Sequence, residues 1–231
     1  MQLIREKCNV MARLKGNSLH NAFTGKVGNL VGCKWKDTYY IRMRPVSVKH
    51  PNTEAQLAQR MRFANTQSFL QPMKEFLRLG FGAYTSNKSA YNAAMSYNMK
   101  NAIIGEYPDI VIDPSLAMVS MGKLPGCSEV AVLQKEPQLL EFSWDSKTNG
   151  SSAHSNDRVI LVHNCPDNKK ATYRLDAASR RDGKVTVMVN EFSGFSVACY
   201  ILFVKPRVML GNFTDLDISD SQYCGTIEVS V

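Results

Sequence analysis

Lysines, arginines and aromatic rings interleave in Lys34-Trp35-Lys36 and in Tyr39-Tyr40-Ile41-Arg42-Met43-Arg44. Cations hold phosphates and flat rings stack bases. Trp35 and Tyr40 together with Lys34, Arg42 and Arg44 therefore have the chemistry to hold a nucleic-acid strand. Lys26, Lys36 and Arg60 extend this candidate set, which would serve equally well against an acidic protein face. In the competing reading Trp35, Tyr39 and Ile41 pack in a core and the cations form its solvated rim. Alternation alone produces that pattern in any half-buried hairpin, so the packing reading carries the greater weight.

Other chemistry finds little footing. The four histidines, at 20, 50, 154 and 163, have neither HxxxH nor HExxH spacing, and none lies beside a cysteine pair, so no metal is expected. The glycines of Gly25-Lys-Val-Gly-Asn-Leu-Val-Gly32 suggest a phosphate loop. That motif needs Lys-Ser or Lys-Thr after its last glycine, and here Cys33-Lys34-Trp35 follows. A GxGxxG fingerprint and a GxSxG elbow are both absent, and Asp113, Glu141 and Asp145 form no suggestive carboxylate pair. The expectation is a protein that is not an enzyme and has no cofactor.

The elements that must position the basic and aromatic residues begin with a hairpin. Period-two patterning over Leu30 to Trp35 and Thr38 to Met43, with a turn at Lys36-Asp37, predicts two strands. On the second, Tyr39, Ile41 and Met43 face one way, and Tyr40, Arg42 and Arg44 the other. Pro45 ends the ladder because it has no N–H to donate. The nearby glycines let a strand bend, bulge or approach another chain closely. Thr53-Glu-Ala-Gln56 has the form of a capping box, which starts a helix at Glu54. That helix places Leu57, Met61, Ala64, Ser68 and Met73 near one stripe, flanked by Phe63, Phe69 and Leu70, and Pro72 breaks it. A stop follows at Gly80. A second helix rich in small residues is expected from Ser89 to Ile104.

From Ile110 the pattern turns to strands. They are expected at Ile110 to Ile112, Leu116 to Met121, Ser128 to Leu133, Gln138 to Trp144, Arg158 to His163, Ala171 to Leu175, Lys184 to Val189, Ser196 to Val204 and Gly225 to Val229. Seven or so short strands without intervening helices predict an antiparallel β-sandwich of immunoglobulin or fibronectin type III character, with Trp144 as a core anchor. The fold class is therefore α+β, an N-terminal hairpin with helices followed by that sandwich. The division is a basic arm over 1–22, a hairpin-plus-helix module over 23–108 and the sandwich over 109–231. Cys165 and Cys199 are expected to face each other across the sandwich as buried thiols.

The six cysteines form no CxxC pair and no regular framework, which reads as reduced thiols in the cytoplasm. The N-terminus lacks a signal-peptide core, and Met11 also has the form of a start, with residues 1–10 as an extension. No apolar run is long enough to span a membrane. Charge is uneven. Residues 1–100 hold 16 basic against four acidic residues, while the remaining 131 hold 12 against 16. The first part is thus fitted to an acidic partner, whether nucleic acid, another protein or the other half of a second copy.

The run Gly25-Lys-Val-Gly-Asn-Leu-Val-Gly32, then Tyr39-Tyr-Ile-Arg-Met-Arg-Pro45, then Asn52-Thr-x-x-Gln56-x-x-x-Arg60-x-x-Phe63 resembles an uncharacterised family widespread in Bacteroidota. A shorter form of the pattern is similar to small proteins carried by phages and other mobile elements. The resemblance rests on the first ~100 residues and implies genomic company rather than mechanism, so no catalytic residue is carried over. The function expected is a self-associating structural or assembly protein, cytoplasmic or incorporated into a phage-derived or mobile-element particle. Its partners would be copies of itself or an assembly protein. The alternative is a nucleic-acid-binding module using the basic N-terminal half.

Overall fold

The computed structural model describes residues 13–14, 23–35, 38–45, 52–85, 88–148, 152–206 and 217–230. The chain divides into two compact units, Met1–Asn52 and Thr53–Val231. Most of the expected arm, the Lys36-Asp37 turn and the connector over 46–51 lie outside the described residues.

In the first unit, β1 (Arg13–Leu14), β2 (Phe23–Val27), β3 (Leu30–Trp35) and β4 (Thr38–Met43) form one antiparallel sheet in that order. The expected hairpin is the β3–β4 half, with Leu30 opposite Met43 and Trp35 opposite Thr38. The glycines build a second hairpin. Val27 pairs with Leu30 across Gly28-Asn29, and Gly28 takes φ +55°. A two-residue II′ turn needs that positive φ at its first position, where glycine carries no Cβ penalty.

The second unit opens on the predicted cap. The Thr53 hydroxyl accepts from the Gln56 N–H at 3.4 Å, and α1 runs over Glu54–Leu70. Pro72 then forces a tight 3₁₀ turn, Gln71–Met73, before α2 at Lys74–Gly80. Ser89 caps α3 (Ala90–Asn101) by accepting from the Asn92 N–H at 3.2 Å. The chain leaves the helix earlier than expected, because Ile103–Ile104 (β5) pairs with Val111–Ile112 (β6). The packed face of α1 lies toward the expected Phe69 and Leu70 flank of the stripe. Thr66, Phe69 and Leu70 are buried, with Met73 just beyond, while Ala64 and Ser68 are exposed. The large apolar side chains near Pro72 set the packed face.

Seven strands follow: β7 (Ala131–Glu136), β8 (Leu139–Ser143), β9 (Arg158–Cys165), β10 (Lys170–Ser179), β11 (Lys184–Met188), β12 (Ser196–Val204) and β13 (Gln222–Glu228). They make two antiparallel sheets, ordered β11-β8-β7 and β10-β9-β12-β13. The chain is thus a mixed α/β protein with antiparallel sheets. Strands β9 and β12 are buried on both faces. Ile160, Val162, Ala198, Tyr200, Leu202 and Val204 meet Phe69, Leu70, Met73, Phe76, Leu77 and Ala94 of the helical segment. Val159, Leu161, Val197, Ile201 and Phe203 meet Leu140, Phe142, Val187 and Val132 of the other sheet. The helices therefore share a core with strands on the far side of the expected boundary at 108, and the contact boundary falls at Asn52 instead. An amphipathic helix is stabilised by what covers its apolar stripe, and here a sheet covers it.

Two further expectations change. Leu116 to Met121 forms no strand. Its backbone is held by side chains: Asn98 accepts from the Met118 N–H at 2.8 Å and donates to the Met118 carbonyl at 2.9 Å. Ser221 Oγ accepts from the Val119 N–H at 2.9 Å. Such bonds satisfy buried backbone without a ladder. Cys165 and Cys199 do not oppose each other across two sheets. They lie on neighbouring strands of one sheet, both buried and both free thiols.

Trp144 is the expected anchor, 5% exposed, and its indole N–H donates to the Arg180 carbonyl at 2.7 Å. Arg180 is fully buried. It pairs with buried Asp157 at 3.2 Å, donates to the Pro125 and Gly126 carbonyls at 2.7 Å each, and lies 3.8 Å from the Phe203 ring centroid. Removing one member of a buried pair strands the other charge. Arg180→Met should therefore lower unfolding stability in urea by about 3–5 kcal/mol. The double change Arg180→Met with Asp157→Leu should recover much of that loss.

His163 is buried against Phe142, with ring centroids 5.5 Å apart. Burial, helped by the Arg174 charge, pulls its pKa from 6.5 to about 4. The unfolded chain gains a proton below the upper value, whereas the folded chain refuses it until the lower. Stability is thus full above pH 6.5 and falls as pH drops toward 4, by up to about 3 kcal/mol from this group. The acid loss measured by denaturation over that window should be shallower in His163→Gln. Equal slopes in the two proteins would assign the loss to other groups.

Candidate functional site

Cross-strand partners share a face of a sheet, so the registers of β2, β3 and β4 sort their side chains into two surfaces. On the first, Val27, Leu30 and Met43 form one row, and Ile41 and Tyr39 continue it. Their exposures are 48% for Val27, 42% for Leu30, 72% for Met43, 56% for Ile41 and 41% for Tyr39. Gly25 and Gly32 are paired beside Ile41, so no side chain rises from these two positions. The Lys34 ammonium lies over the Tyr39 ring, 4.9 Å from its centroid. Five large apolar groups therefore form one water-exposed face. Only Gly32 is buried among the residues of this unit whose burial is described.

The second surface is basic and aromatic. Lys26, Val31 and Arg42 make one cross-strand row, and Cys33 and Tyr40 the next. Lys26, Tyr40 and Arg42 are exposed, as is Arg44, whose N–H extends the ladder by donating to the Asn29 carbonyl at 2.7 Å. Strand β4 is the outer strand of the sheet, with all six residues exposed.

The structure thus gathers Lys26, Tyr40, Arg42 and Arg44 on one surface and places Lys34 on the other. Trp35 occupies the last position of β3, and Lys36 lies outside the described residues. Arg60 stands exposed on α1 in the second unit. Tyr39 and Ile41 are not packed in a core of their own chain, unlike the packing reading of the sequence. Alternation placed Tyr39, Ile41 and Met43 on one face. The β3–β4 register adds Leu30 opposite Met43, and the β2–β3 register, set by the Gly28 turn, adds Val27.

The unit boundary also redistributes the charge. Residues 1–52 hold ten lysines and arginines against two acidic residues, net +8, whereas residues 53–231 hold 18 of each. The second unit is neutral as a whole, so the whole formal excess belongs to the segment containing the sheet.

In the second unit, burial pushes the Cys127 and Cys199 thiols up to about 12, and that of Cys224 higher still. Thiols so shifted stay protonated near neutral pH and are poor nucleophiles. Among the described residues no group of three or more His, Cys, Asp or Glu is placed to hold a metal ion. No described helix is long and apolar enough to cross a membrane.

These features define a mixed α/β chain with antiparallel sheets and a two-faced N-terminal strand unit. The chain belongs to a family of unknown function, DUF6266, whose model matches residues 22–210. No curated protein matches it. Among solved structures, the fn3 domain of human collagen alpha-1(XX) chain is similar at 11% identity and TM-score 0.33, over 46% of this chain and 86% of its own. A likeness that slight carries no argument about this chain.

Proposed function

We propose that this chain is a non-enzymatic structural protein that self-associates through its N-terminal sheet. The observation carrying the reading is the apolar face of Val27, Leu30, Tyr39, Ile41 and Met43, exposed beside an outer strand. Contiguous apolar surface of this kind marks an association site, and an open edge is a template for another strand. Pairing β4 with its copy about Ile41 would set Tyr39 opposite Met43 and Tyr40 opposite Arg42. No two like charges would then meet. The second unit, with its three-stranded and four-stranded sheets, is read as a fibronectin type III-like sandwich carried by that assembly. The resemblance of the first ~100 residues makes a phage-derived or mobile-element particle, assembled in the cytoplasm, the context proposed.

Light scattering coupled to size-exclusion chromatography should give an oligomer for the native chain. Ile41→Glu with Met43→Glu should give a monomer of unchanged circular dichroism. A native chain that stays monomeric at high concentration and low salt would refute the reading.

A second reading is favoured by the opposite surface. Lys26, Tyr40, Arg42 and Arg44 together, in a segment of net +8, suit a nucleic-acid strand. Lys26→Ala, Arg42→Ala and Arg44→Ala combined should then weaken binding of single-stranded DNA. The change should also flatten the dependence of log K on log salt concentration by about 2. Absence of any mobility shift at low salt would remove this reading.

A further inference from the structure

The helical layer of the second unit holds a cleft of about 630 Å³, within the range of about 300–1,000 Å³ typical of ligand sites. One wall is a stripe of α3, where Ala93, Ser96, Tyr97 and Lys100 recur at helical spacing. The other is the turn after α2, with Tyr84, while Phe81 and Met121 supply apolar lining. Lys88 stands just before the Ser89 cap, and Lys100 lies in the last turn of α3. The residues lining the cleft include two lysines and no carboxylate, and neither lysine has an acidic partner among the described residues. Both lysines are exposed. Tyr84 and Tyr97 are half-buried, and the Tyr97 hydroxyl makes no hydrogen bond among the described residues.

The spacing decides what fits. Lys88 precedes the first turn of α3 and Lys100 lies in its last, with a helical rise of about 15 Å between Ala90 and Lys100. Both lysines line the cleft, from opposite ends of that helix. A ligand that uses the whole cleft carries negative charge toward each end and flat, partly apolar bodies between, to lie against the tyrosines. We propose that this cleft binds a short stretch of single-stranded nucleic acid, with phosphates at Lys88 and Lys100 and bases against Tyr97 and Tyr84. The basic sheet is not involved. The inference is independent of self-association, and it uses residues for which the sequence pattern gave no signal beyond core-forming helix.

Fluorescence anisotropy of a labelled single-stranded oligothymidine with the full chain tests it. Binding should weaken with salt, with a slope of log K against log salt near −1.4 for two neutralised phosphates. Lys88→Glu with Lys100→Glu should weaken binding at least tenfold while leaving the melting temperature in place, since both side chains are exposed. Tyr97→Ala should cost roughly tenfold, and Tyr97→Phe, which keeps the ring, should bind as the native chain does. The monomeric Ile41→Glu, Met43→Glu protein should also bind normally, which separates this site from the assembly surface. Undiminished affinity in the double lysine variant overturns the proposal, as does a native chain that captures no oligonucleotide. Loss confined to the Lys26, Arg42, Arg44 variant also overturns it and moves binding to the sheet.

Discussion

Two adjacent strands, β9 and β12, must be covered on both faces, and the second unit is arranged around that requirement. Val159 to Val162 and Val197 to Val204 are continuous apolar runs, and every one of these residues is buried. Leaving either face in water would expose several large side chains at about 25 cal/mol per Å². One face is covered by the sheet β11-β8-β7 and the other by α1, α2 and α3. Helices and strands that look separable along the chain are therefore one cooperative body.

Buried polar groups fix how these layers meet. Arg180 ties its own turn to Asp157 and to the Pro125 and Gly126 carbonyls, while its backbone carbonyl receives the Trp144 indole. Burial lowers the Arg180 pKa, and the Asp157 carboxylate opposes that shift. Asn98 of α3 and Ser221, just before β13, hold the irregular segment from Met118 to Ser120. Close packing supports the same junction: a Cβ at Gly80 would come 2.2 Å from the Val119 carbonyl oxygen. These contacts specify one arrangement, because an apolar layer alone tolerates sliding and a buried hydrogen bond does not.

The first unit follows different physics. Its sheet has no apolar interior among the described residues, and Lys26, Arg42 and Arg44 lie on the surface opposite Val27, Leu30, Tyr39, Ile41 and Met43. A small sheet gains stability from a covered face, so the exposed row from Val27 to Tyr39 is where further burial has most to contribute. The basic surface and the cleft along α3 supply cations beside aromatic rings in two separate places. They differ in kind. The sheet offers a flat array, whereas the cleft offers walls that limit a ligand's length and shape.

Local signals in the sequence determined much of this. Period-two alternation set β3 and β4, the Thr53 and Ser89 caps and Pro72 set the helix ends, and the β-rich stretches after Ile110 located the seven strands of the β11-β8-β7 and β10-β9-β12-β13 sheets. These features depend on neighbours a few residues away, which a sequence displays directly. The continuous apolar runs of β9 and β12 have the composition of strands buried on both faces. Tertiary structure decided the rest. It placed the boundary at Asn52, put Cys165 and Cys199 in one sheet, and held Leu116 to Met121 by side chains. It also brought Tyr84, Lys88, Tyr97 and Lys100 around one cleft. Each of these depends on which elements cover one another, and that follows from long-range packing free energy that no local pattern encodes.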